Sequence, residues 1–193
     1  ADNDYKGIVA IKSTVECGFT QSAIDQFNNL TLCFVPEFLR ERCAMDDFIS
    51  NHNLLAVGTH DKFVFDKIVE AHGHYPKATA RLKPTEAEIL KYYNNVFAAY
   101  KIIFANIMSE VCGKLNCDYT TVKDAFVKFG RCKDTYLDVN ENLKGYGGMC
   151  LPKDVKAMTK LLEKLDIDFD TFKSIDTDNS KLKTTVFNGM RKQ

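Results

Sequence analysis

The stretch TEAEILKYYNNVFAAYKIIFANIMSEVCGK, residues 85–114, sets the strongest constraint on the fold. It reads as one uninterrupted helix, which at ~1.5 Å per residue is roughly 45 Å long. Thr85 followed by Glu88 has the form of a capping box, and Pro84 marks the change of texture just before it. Apolar positions cover more than one face, so such a helix packs against two partners, and another subunit can be one of them.

Before Pro84 the chain has a different rhythm. Residues 6–15 (KGIVAIKSTV), 30–35 (LTLCFV) and 54–59 (LLAVGT) are short apolar, strand-like runs, and ATARL at 78–82 adds a fourth. Helical patterns lie between them: GFTQSAIDQF, with Thr20 as the expected N-cap, and residues 61–75. This alternation predicts a parallel, two-sided sheet. After the long helix, further helices are expected at 120–129, 153–165 and 169–175, with no strand after Asp168. The fold class is thus a small α/β part followed by a mainly helical part built on one long helix.

Composition removes several functions. Twenty-six basic and 26 acidic residues cancel, so no net field draws the chain to nucleic acid or an anionic membrane. No continuous apolar run approaches the ~20 residues of a membrane span, and ADNDYKG lacks the basic and apolar regions of a signal peptide. Seven irregularly spaced cysteines point to a reducing, cytoplasmic setting rather than a disulfide framework. No metal site is expected, since no C-x-x-C pair exists and His72 and His74 read as surface or loop residues.

Three places offer chemistry. In GYGGMCLPKD, residues 145–154, Pro152 suits the first turn of a helix, which puts Cys150 near that helix's positive end with Lys153 close by. Gly147 and Gly148 allow close backbone approach. Local sequence leaves two alternatives for Cys150: an activated nucleophile, or a small buried residue in a glycine-rich turn. Lys91 and Asn95, four residues apart on one helix face, are donors for a developing oxyanion or else a snorkelling lysine and a surface amide. PEFLRE, residues 36–41, begins at a strand end, where Glu37 or Glu41 is a general base or a solvated carboxylate; Thr14, at the end of the first strand, is equally ambiguous.

In order along the chain, KSTV, PEFLRE, T-x-A-E-x-x-K-x-x-x-N and GYGGMCLPKD resemble the nucleotide-sugar dehydrogenase family, the UDP-glucose and GDP-mannose 6-dehydrogenases. The similarity runs from Lys12 to Asp176, and TDNSKLK resembles the family's segment after the central domain. The resemblance implies an NAD-binding Rossmann-like domain whose C-terminal part is residues 1–83. It implies a helical central domain at 84–193 that forms a homodimer through the long helix. The first half of the NAD domain, with its G-x-G-x-x-G turn, and the C-terminal nucleotide-binding domain are absent from the sequence, and the chain alone is expected not to turn over.

The implied reaction is a two-step, NAD-dependent oxidation of a sugar C6 alcohol to a carboxylate through a cysteine thiohemiacetal and thioester. UDP-glucose is the expected substrate, with GDP-mannose as the alternative, and a helical dimerisation fragment without activity as the rival reading. Carried over by motif, Cys150 is the nucleophile, Lys91 and Asn95 stabilise the oxyanion, and Asp154 orients groups around an ordered water. Glu37 is the acid/base of hydrolysis, and Thr14 holds water or contacts NAD. Residues Glu37, Phe38, Leu39, Arg40 and Glu41, with Gly145 and Tyr146, are expected to hold the nucleotide sugar together with Lys91 and Asn95. Glu41 and Lys153 approach the NAD side, and Arg131 reaches substrate across the dimer. Arg42 and Cys43 replace the family's Gly and small residue after PEFLRE, and Asn51-His52-Asn53 replaces Pro-Asp-Arg.

Overall fold

A computed structural model describes residues 5–40 and 43–182 of the chain. The chain divides into two compact units, Ala1–Lys91 and Tyr92–Gln193.

The first unit runs β1 (Ile8–Ile11), α1 (Phe19–Gln26), β2 (Thr31–Phe34), α2 (Ala44–Ile49), β3 (Leu55–Gly58), α3 (Lys62–His72), β4 (Thr79–Leu82) and the start of α4 (Pro84–Lys114). The sheet order is β1-β2-β3-β4. β1 and β2 are parallel, from Ile8↔Thr31 to Ile11↔Phe34, and so are β3 and β4, from Leu55↔Thr79 to Gly58↔Leu82. β2 and β3 instead meet antiparallel at Phe34↔Gly58, so the sheet is mixed and not parallel throughout. The crossover helices explain the difference. α1 and α3 lie in connections that return the chain to the start of a parallel neighbour, whereas the antiparallel β2–β3 connection, which contains the six-residue α2, needs no such return.

β3 is buried along its whole length, and its Leu55 and Val57 pack with Cys33, Val35 and Val64 as the core of this unit. Gly58 lets the start of α4 approach the sheet: a Cβ there would lie 2.8 Å from the Ala87 Cβ and 3.0 Å from the Pro84 Cα. Two capping expectations are corrected. Gly18, at φ 93°, is the N-cap of α1, and Thr20 is buried inside its first turn. Glu88 does not close a capping box with Thr85. Its carboxylate accepts from the Gly18 and Thr20 amides at 2.6 and 2.8 Å, while Glu86 takes the local role by accepting from the Lys83 amide. A buried carboxylate at a helix N-terminus satisfies orphan amides and opposes the helix dipole, a stronger use for Glu88 than a local cap.

The second unit contains the rest of α4, then α5 (Tyr119–Lys128), α6 (Leu151–Lys164) and α7 (Thr171–Lys181). Asp118 caps α5 by accepting from the Thr120 and Thr121 amides. Val96, Ala99 and Ile103 of α4 form the core with Tyr146, Val155 of α6 and Ile175 of α7. By length and composition α4 is apolar enough to cross a membrane. The sequence reading overlooked this because charged residues interrupt the run; Val96, Ala98, Ala99, Ile103 and Ala105 are buried in the protein.

Candidate active site

In the first unit, β1 and β2 run parallel, so the loops that follow them leave one edge of the sheet. Thr14 lies in the first of these loops and Glu37 in the second. The Glu37 carboxylate accepts from the Phe38 and Leu39 amides at 2.8 and 3.0 Å and pairs with Lys12 at 3.3 Å. Lys91 donates from Nζ to the Glu37 carbonyl and lies 5.4 Å from the centroid of the Phe38 ring. The PEFLRE turn is therefore held by its own carboxylate and by two lysines.

Arg40 is fixed from the other side. Its Nε and amide donate to one oxygen of Asp47, at 2.9 and 3.0 Å, and its terminal nitrogen donates to the other at 2.7 Å. This two-pronged contact, chiefly the guanidinium hydrogen bond, holds the Asp47 carboxyl well below the usual carboxylate range. Glu41 lies outside the described residues.

Sequence reasoning missed the surroundings of this loop. His52 is pushed below the ordinary histidine range by burial and by His72, with Glu37 acting in the opposite sense. His72 is not a free surface residue: its ring lies 6.0 Å from His52 and 6.1 Å from Phe48, and its Nδ1 is 2.7 Å from the Ile68 carbonyl. Asn51-His52-Asn53 was visible as a departure from the family pattern, but nothing local connects it to Glu37.

In the second unit, Cys150 is the N-cap of α6 and is exposed, so its sulfur sits at the end where helix amides lack partners. α6 begins at Leu151, two residues earlier than expected. Asp154, in its first turn, is fully buried. Its carboxylate accepts from the Asn95 side chain at 2.6 Å and from Lys153 at 2.5 Å, and its amide donates to the Cys150 carbonyl at 3.0 Å. The Asn95 oxygen in turn accepts from Asn94 at 3.0 Å. One Asn95 N–H remains beyond the one given to Asp154.

The glycine turn before Cys150 has its own support, another feature not read from sequence. Asn179 accepts from the Tyr146 amide at 2.8 Å and donates to the Tyr146 carbonyl at 2.9 Å. Gly145 is at φ 78°, and a Cβ there would lie 2.4 Å from the Asn179 Oδ1. The Tyr146 ring is buried, donates to Asp176 at 3.3 Å, and has its pKa raised, chiefly by burial. The only sequence signal for Asn179 was its place inside TDNSKLK, whose Lys183 lies outside the described residues. Arg131 stands in the turn after α5, 5.4 Å from the Phe129 ring centroid.

The expected NAD cofactor can be tested against the first strand-to-helix turn. The N-terminal amides of α1 at Gly18 and Thr20 are already filled by Glu88. That helix end does not fit a pyrophosphate, which needs free amides and no opposing carboxylate. Among the described residues, no group of three His, Cys, Asp or Glu side chains is placed to hold a metal ion.

A model of the UDP-glucose/GDP-mannose dehydrogenase family, central domain, matches residues 85–181. The chain is 28% identical over 176 residues to the UDP-glucose 6-dehydrogenase YwqF of Bacillus subtilis, covering 87% of this chain and 39% of that protein. It is 32% identical over 137 residues to the UDP-glucose 6-dehydrogenase AglM of Haloferax volcanii, covering 68% and 31%. The structure of a UDP-glucose dehydrogenase from Pyrobaculum islandicum matches with a TM-score of 0.80 at 29% identity, over 90% of this chain and 41% of that one. A GDP-mannose dehydrogenase from Pseudomonas aeruginosa matches with a TM-score of 0.61 at 26% identity, over 93% and 43%. The chain thus spans two fifths or less of the length of these two curated relatives. It belongs to the UDP-glucose/GDP-mannose dehydrogenase family.

Proposed function

We propose that the chain carries the covalent-catalysis apparatus of a UDP-sugar 6-dehydrogenase, acting on UDP-glucose, in a reducing cytoplasm. The observation that carries this reading is the buried Asp154 carboxylate, held by Asn95 and Lys153 one turn after an exposed cysteine at a helix N-terminus.

At the aldehyde level, the Cys150 thiolate adds to C6 and the carbonyl oxygen becomes an oxyanion. The remaining Asn95 N–H and the Lys91 ammonium are its donors. The resulting thiohemiacetal loses hydride to give a thioester. Water attacks the thioester carbon, Glu37 takes the proton, and C–S cleavage returns the thiolate and leaves the carboxylate. Asp154 fixes the Asn95 amide and orients the water. NAD is the family's cofactor and supplies the hydride acceptor for both oxidations when bound. Thr14, Glu41 and Lys153 are assigned to its edge, and with no pyrophosphate site at α1 the chain alone is expected to give no NADH. Phe38, Leu39, Arg40, Gly145 and Tyr146 are assigned to the nucleotide sugar, and Arg131 to substrate held by a partner subunit.

The homodimer is assigned to α4. Tyr93, Phe97, Tyr100, Phe104, Ile107 and Val111 lie at alternating four- and three-residue steps and are 42% to 71% exposed. That is the spacing of a helix–helix seam. The same stripe supports a second reading, a dimerisation module without catalysis. Calorimetric titration separates the two: saturable binding of UDP-glucose, weaker for GDP-mannose, is expected of the catalytic piece. Tighter binding of GDP-mannose would move the assignment to the other branch, and no binding of either would favour the module.

A further inference from the structure

The C-terminus of α4 places two cysteines in contact. Asn116 adopts the left-handed conformation at φ 54°, the Cys117 amide donates to the Cys112 carbonyl at 2.9 Å, and the Asn116 amide donates to the Gly113 carbonyl at 3.3 Å. These paired bonds define a Schellman turn, in which the third residue from the helix end and the second residue beyond it bring their side chains together. Those positions frequently hold an apolar pair. Here they hold Cys112 and Cys117.

The backbone bond limits the two Cα atoms to at most ~6.8 Å, the upper end of the ~4.4–6.8 Å range that a disulfide accepts. The Cys117 sulfur lies 3.5 Å from the Cys112 carbonyl oxygen, so its side chain is folded back over the turn. The environments are unequal: Cys117 is exposed and Cys112 is buried. Burial pushes the Cys112 thiol upward in pKa, and its hydrogen bond with Cys117 adds to this.

We infer that Cys112 and Cys117 form a dithiol site that is oxidised to an intrachain disulfide by a low-molecular-weight disulfide of the glutathione type. The exposed Cys117 thiolate attacks one sulfur of the oxidant, forming a mixed disulfide and releasing one small thiolate. Cys112 then loses its proton and attacks the Cys117 sulfur, which breaks the mixed disulfide and releases the second small thiolate. Two cysteine thiols lose two electrons, the small disulfide gains them, and the two protons pass to the thiolates released. The bond closes the last turn of α4 covalently, next to the Asp118 cap of α5.

Lys114 lies between the two cysteines, which makes the test direct. Trypsin separates residues 102–114, containing Cys112, from residues 115–123, containing Cys117. The whole 193-residue chain is equilibrated with glutathione and glutathione disulfide, alkylated and digested without reduction. The two peptides are expected to appear joined, with their fraction rising with the share of glutathione disulfide. A mixture of ¹⁴N- and ¹⁵N-labelled chains should give only joined peptides of matching isotope. In Cys117→Ser, with its melting temperature checked against the parent, Cys112 should stay reduced. Separately alkylated peptides at every ratio, mixed-isotope pairs, or a Cys112 that is glutathionylated as fast without Cys117 as Cys117 is in the parent would each overturn the proposal.

Discussion

Asn95, on α4, donates its side-chain amide to the fully buried carboxylate of Asp154, on α6, at 2.6 Å. This bond ties the long helix to the first turn of the helix that Cys150 opens. Lys153 holds the other carboxylate oxygen at 2.5 Å, so the buried carboxylate has a cation on one side and a neutral donor on the other. A carboxylate in that setting is stable only while its partners remain.

Asp154→Ala should therefore destabilise the chain by about 2–3 kcal/mol, because it leaves the Asn95 amide buried without its acceptor. Asp154→Asn, which keeps an acceptor oxygen, should lose less than half of that. Urea unfolding followed by circular dichroism reads both. Equal losses for the two variants would mean that the bond to Asn95 is not what holds the turn.

Gly145→Ala should destabilise by about 2–4 kcal/mol, since a positive φ is strained for alanine and the methyl group displaces an amide that bonds Tyr146 twice. Asn179→Ala should fall in the same direction by losing both bonds. Gly113→Ala is the control, with nothing within 4 Å of the added Cβ and a helical backbone. It should be neutral or raise stability by up to about 1 kcal/mol. Melting temperatures that fall alike at Gly113 and Gly145 would contradict the role of the Asn179 clamp.

Asp47 should titrate below the ordinary aspartate value. Its folded-state carboxyl is depressed by Arg40, so the stability it contributes is in place above the unfolded value of about 3.9 and is lost as pH falls through the lower folded value. Carbon-13 NMR of the side-chain carboxyls checks this. Arg40→Ala should return Asp47 towards the ordinary range, and an ordinary value in the intact chain would show that the clamp does not persist in solution.

Phe104→Glu places a charge in the exposed α4 stripe and leaves the buried Val96, Ala99 and Ile103 in place. If that stripe is the homodimer seam, the variant should weaken association by roughly 100-fold or more. Sedimentation equilibrium over a wide concentration range measures it. A parent chain that stays monomeric throughout, or a variant that associates equally well, would remove the interface from α4.

The elements that follow from local pattern were the legible ones. α4 was read to within one residue of its start, because its periodicity is long and Pro84 punctuates it. α2 was not read, since six residues carry too little periodicity. The antiparallel contact of β2 and β3 rests on one residue pair, which a strand pattern does not contain. Glu88 was assigned to the nearest cap, although its partners lie 68 and 70 residues away. The candidate site showed the same division. Cys150 at a helix N-terminus was visible in Pro152, whereas Asn179 behind Gly145 and His52 beside the Glu37 loop depend on tertiary packing alone.

The central claim is that Cys150 is the nucleophile of a substrate site. Its most direct measurement is the rate of iodoacetamide alkylation at each of the seven cysteines at neutral pH, with and without UDP-glucose, read by mass spectrometry. The helix N-terminal position predicts that Cys150 is the fastest and that UDP-glucose slows it selectively. A Cys150 that reacts no faster than exposed Cys117 and is indifferent to UDP-glucose would contradict the claim.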